Sequence, residues 1–84
     1  MEKSEMTELL DASTIVALLK IYDLHYKHVG IRLRCSRQNV GYLLKADSFK
    51  PYQREVILDL LLQHGLEASE LVVVHHMTKK VKQL

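Results

Sequence analysis

Apolar residues recur along this chain at helical spacing, every three or four positions, rather than in strict alternation. The pattern predicts four or five helices. In residues 14–24, Ile15, Leu18, Leu19 and Tyr22 fall at i, i+3, i+4 and i+7, the stripe of an amphipathic helix. Ser13 or Asp11 suits its start. Residues 4–12 either extend this helix or form a separate short turn. In residues 27–34, Val29 and Leu33 are four apart and share a face. Gly30 lies between them, and a glycine costs about 1 kcal/mol against alanine inside a helix. Close approach of another helix is the natural reason for it. Ser36 is a good N-cap for a third helix over 37–45. Its Val40, Leu43 and Leu44 share one side of the wheel. Arg37, Gln38, Gly41, Tyr42 and Lys45 take the other, with Asn39 at the border.

After the polar loop ADSFK, Pro51 fits the first turn of a helix over 52–64, where its missing N–H costs nothing. Gly65 fits a left-handed end. This helix is unusually apolar. Val56, Ile57, Leu60 and Leu61 make one face, and Leu58 and Leu62 a second stripe. One small domain rarely covers both, so the surplus predicts contact with a second copy. In residues 67–84, Glu70–Leu71 suits a helix, while Val72–Val73–Val74 is β-branched and equally compatible with a strand. The expectation here is a short helix followed by a lysine-rich tail.

With 84 residues the chain is one domain's worth of polypeptide. The 48% hydrophobic and 26% charged residues fit a globular domain rather than a disordered one. A single cysteine excludes an intramolecular disulfide and with it a secreted disulfide scaffold, so a reducing, cytoplasmic setting is expected. No apolar run is long enough to span a membrane, and the acidic N-terminal stretch lacks the apolar segment of a signal peptide. Three glycines and one proline leave little room for a turn-rich β fold.

Net charge is only +2, but its distribution is uneven. Residues 20–54 hold eight bases (Lys20, Lys27, Arg32, Arg34, Arg37, Lys45, Lys50 and Arg54) against Asp23 and Asp47. Four acids and one lysine lie before this block. Residues 55–78 carry four acids and no lysine or arginine. A basic middle between acidic ends suits an anionic partner if the cations converge on one face.

Residues 26–45 match the pattern of a helix-turn-helix. Gly30 is the small residue where the second helix crosses the first. Val29 and Leu33 anchor the first helix, Cys35 plugs the turn, Ser36 caps the second helix, and Val40 and Leu43 anchor it. On these residues the chain resembles the Cro/cI-type (XRE-like) family of DNA-binding domains. The resemblance extends over about residues 14–74, because one helix precedes the pair and the Pro51 helix with Leu66–Leu71 follows it. Two positions depart from the family. Arg34 stands where a turn glycine is usual, so the turn is expected to be strained or differently shaped. Tyr26 stands where a phosphate-contacting glutamine is common.

The resemblance implies an all-α, compact four- to five-helix bundle of the lambda-repressor-like type. It divides residues 1–84 into an N-terminal extension (1–12), a family-like core (14–74) and a basic tail (75–84). It also implies a prokaryotic or phage regulator, most simply a small repressor that binds a two-fold operator in double-stranded DNA as a homodimer. Arg37, Gln38, Gly41 and Tyr42 then occupy the base-reading positions, and their chemistry suits the role. Arginine pairs bidentately with guanine, glutamine with adenine, and glycine allows close approach. Ser36, Asn39, Lys45, Lys50 and Arg54 are the backbone contacts. Leu58, Leu62, Val72 and Val74 are the candidate dimer surface. The alternative is a helix-turn-helix scaffold that binds another regulatory protein, as an adaptor or antirepressor, without reading DNA.

Other chemistry is thinly represented. The adjacent His75 and His76 point to different sides of any regular element, and no cysteine or carboxylate lies at ligand spacing, so no metal is expected. Cys35 reads as a small core residue rather than a nucleophile. No phosphate-loop, dinucleotide or paired-carboxylate signature occurs, and neither catalysis nor a cofactor is expected.

Overall fold

The computed structural model describes residues 1–81, with side chains to Lys80. Six helices follow one another: α1 (Lys3–Glu8), α2 (Ala12–Ile21), α3 (Tyr26–Leu33), α4 (Arg37–Ala46), α5 (Pro51–Gln63) and α6 (Ala68–Val81). The described residues contain no strand. None of these helices is long and apolar enough to cross a membrane.

Local chemistry sets the starts. The Asp11 carboxylate accepts the Thr14 N–H at 3.0 Å and opens α2. The Ser36 hydroxyl accepts the Asn39 N–H at 3.0 Å and opens α4. Pro51 is the first residue of α5, and the Gln53 side chain accepts the Lys50 N–H at 2.8 Å. The ends share one device. Asp23, Arg34, Asp47 and Gly65 all have positive φ. In each case the following amide reaches back five residues: Leu24 to Leu19, Cys35 to Gly30, Ser48 to Leu43, and Leu66 to Leu61, at 2.8 to 3.1 Å. These are Schellman closures. Only one of the four uses the glycine that makes such an end visible in a sequence.

The core gathers Leu10, Ile15, Leu18, Val29, Val40, Ile57, Leu58, Leu61 and Leu71, all essentially inaccessible. Two expected boundaries move. Residues 1–12 are no extension: they fold into α1 and its turn, and Met6 and Leu10 enter the core. α1 packs on α5, and Lys3 bridges Asp59 at 2.7 Å and Glu55 at 3.8 Å. Residues 75–81 are no tail but the last turns of α6, which packs on α2. Lys82 lies outside the described residues. The valine run 72–74 is helical, because Leu71 and Val74 bury one face of α6.

A polar junction ties α6 to the start of α2. Thr14 is completely buried, and its hydroxyl lies 3.2 Å from His75 Nδ1 and 3.3 Å from the Thr78 hydroxyl. His75 Nδ1 donates to the Leu9 carbonyl at 3.0 Å, which places the ring proton on that nitrogen. The Lys79 ammonium donates to the Asp11 carboxylate. Burial pushes the Asp11 carboxyl up. Hydrogen bonds from Lys79 and Thr14 outweigh it and hold the group well below the usual carboxylate range.

Candidate nucleic-acid interface

The α3–α4 pair is joined by Arg34, Cys35 and Ser36 alone. Its geometry explains the glycine in α3. A Cβ on Gly30 would lie 2.6 Å from the Cys35 carbonyl oxygen, so the turn itself occupies the space of a side chain. The close approach expected from the sequence is therefore made by the turn leading into α4. Arg34 takes φ 58° and ψ 44°, the left-handed conformation that glycine favours. A non-glycine residue in that conformation carries backbone strain, as expected for Arg34 at this turn. Cys35 is half-buried against the core.

α4 divides as its sequence predicts. Val40 and Leu44 are buried and Leu43 packs against the core, as do Val29 and Leu33 of α3. Arg37, Gln38, Asn39 and Lys45 are exposed, Tyr42 is 71% exposed, and Ser36 stands in solvent at the helix start. Gly41 is only half-exposed, because the Tyr26 ring lies 3.9 Å from where its Cβ would be. Lys50 is exposed at the head of α5. Arg54 is half-buried, and its Nε is enclosed without a partner. One group is added that sequence reasoning missed. His25, Tyr26 and Lys27 at the start of α3 line a cleft of about 380 Å³ with Arg37. The signal was the position of Lys27 inside the basic block, but only the fold brings it beside Arg37.

Most cations of the basic block are left without an acidic partner. Among the described residues, no carboxylate lies within 4 Å of the charged atoms of Lys27, Arg34, Arg37, Lys45, Lys50 or Arg54. Five of the acids are engaged elsewhere. Glu55 and Asp59 hold Lys3, and Asp11 holds Lys79. Asp47 accepts the Ala12 N–H at 3.0 Å. Glu70 accepts from the Tyr22 hydroxyl, and that hydrogen bond pushes the Tyr22 pKa up to about 12.

The expected dimer surface needs correction. Leu58 is fully buried inside the chain and cannot meet a second copy, and Val74, 8% exposed, offers only a sliver of surface at the wall of a groove. The apolar surplus of α5 is absorbed by the molecule itself, because α1, read from the sequence as an extension, packs on that helix. Val72 is half-buried, and Leu62 retains 38% exposure. His75 points inward to Leu9 and Thr14 while His76 is exposed, so the two histidines serve different surroundings.

No protein-family model matches the chain, and no curated protein and no solved structure matches it.

Proposed function

We propose that the chain is a sequence-specific DNA-binding regulator of Cro/cI-type likeness, acting as a small repressor that binds a two-fold duplex site as a homodimer. The observation that carries this reading is the outward face of α4. Arg37, Gln38, Tyr42 and Lys45 stand exposed on a helix whose opposite side is locked in the core, and no carboxylate neutralises their cations. Such a helix can enter the major groove, which offers arginine and glutamine distinct donor and acceptor patterns at each base pair. Arg37 and Gln38, at its N-terminal end, read base edges, and Tyr42 extends the contact one turn on. Ser36, Asn39, Lys45 and Lys50 hold phosphates, which fix register without reading sequence. Lys27, beside Arg37 in the cleft between α3 and α4, joins them. Arg54 contributes through guanidinium atoms other than its enclosed Nε. Size supports a two-fold site. The molecule is about 30 Å across. That width is compatible with two copies on half-sites ~34 Å apart.

Selection of bound duplexes from a random pool tests the reading. Enrichment of a two-fold sequence is expected. Arg37→Ala should then cost about 1–3 kcal/mol at one base position of each half-site, while Lys50→Ala weakens all sequences alike. Failure to enrich any duplex, together with a salt-insensitive complex with another protein, would replace this reading by the adaptor one.

A further inference from the structure

We propose that a second copy of this chain covers the groove between α2 and α6, with the two α6 helices antiparallel about a two-fold axis that crosses their outer faces at the level of residue 75. Ala17 and Ile21 of α2 and Val74, Met77 and Thr78 of α6 line this groove, which holds about 180 Å³. The Thr78 hydroxyl is taken up by the His75 carbonyl at 2.8 Å, so the walls are apolar. Ile21 is 54% exposed and Met77 59%, and Val73, one turn from Met77 on α6, is 56% exposed. Three large apolar side chains on two neighbouring helices make a patch rather than scattered exposure.

The charges around the patch select the occupant. At ~100° per residue, Glu70, Val73, Met77 and Lys80 fall within an arc of about 80° on α6. The face is acidic at one end, basic at the other and apolar between. An antiparallel pairing centred on residue 75 sets Val73 against Met77 of the second copy and Glu70 against its Lys80, twice by symmetry. A parallel pairing would set like charges together. The groups are free for this. Lys80 makes no ion pair among the described residues, and the Tyr22 hydroxyl occupies one carboxylate oxygen of Glu70, leaving the other. None of the outward residues of α4 lines the groove. This surface deepens the homodimer element of the proposed function, and it is tested without DNA.

Sedimentation equilibrium of the full chain should give twice the 9.7 kDa chain mass. Met77→Glu buries an unpaired charge at the centre of the pairing and should raise the dissociation constant by ~30-fold or more. Circular dichroism should show the helices intact, since the side chain is exposed in the monomer. Lys80→Glu or Glu70→Lys alone should weaken the dimer by ~10-fold, and the double exchange should restore it. A monomer at every concentration up to ~1 mM, a dimer indifferent to Met77→Glu, or a double exchange that fails to restore association would each overturn the proposal. Should Met77→Glu fail to fold, the Glu70 and Lys80 exchanges decide. A dimer that forms as described yet binds no duplex would sink the DNA reading and leave this one standing.

Discussion

Gly30 and Arg34 bracket the function of the α3–α4 turn at the scale of single residues. Gly30 has no space for a methyl group, because the obstacle at 2.6 Å is backbone. Gly30→Ala should therefore destabilise the fold by about 1–3 kcal/mol, read as a lower urea midpoint. Gly41→Ala is the contrast. Its new methyl would meet only the Tyr26 ring at 3.9 Å, so the gain in helix propensity, up to ~1 kcal/mol, should prevail. Arg34 sits in the left-handed region with a side chain. Arg34→Gly removes that strain and should stabilise by about 0.5–1 kcal/mol, against the greater chain entropy of glycine when unfolded. A thermal melt checks it. Arg34 became visible as a turn residue only through its backbone, because nothing in an arginine announces a positive φ.

The helix ends and their polar partners decide behaviour at the scale of elements. Asp11 caps α2 and holds Lys79 of α6, so one carboxylate joins two helices far apart in the chain. Its folded pKa is depressed below the ordinary 3.8. The stabilisation is therefore present above pH ~4 and is lost as pH falls through the folded value. Asp11→Asn keeps a capping oxygen but removes the charge. It should flatten the fall in stability below pH ~4, measured as melting temperature against pH, while costing little as a cap. Asp11→Ala should cost ~1 kcal/mol at neutral pH as well. The sequence offered Ser13 and Asp11 as alternative caps. The structure uses Asp11, and Ser13 donates its hydroxyl to the same carboxylate at 3.1 Å.

At the scale of the whole molecule, Asp11, Glu55, Asp59 and Glu70 are engaged within the fold, while Lys27, Arg37, Lys45 and Lys50 of the basic middle stand exposed. Salt should show this division. Two copies that each neutralise about three or four phosphates predict log K falling with log salt at a slope near −5 to −7, and Lys27→Ala should reduce it. A flat dependence would place the cations elsewhere. Much of the architecture was legible in the sequence. The 3.6-residue periodicity marked α2, α4 and α5, Ser36 and Pro51 marked helix starts, Gly65 marked an end, and the split of α4 into Val40, Leu43 and Leu44 inside and Arg37, Gln38 and Tyr42 outside followed from its wheel. These features are local: they depend on neighbours within a turn or two, and a sequence displays such neighbours directly. Only the tertiary structure decided that α1 covers α5, that Leu58 and Val74 belong to the core, and that Lys27 stands beside Arg37. Each of these depends on which apolar face finds which across many residues of chain, and burial is non-directional: any apolar stripe satisfies any other until packing and chain connectivity choose between them.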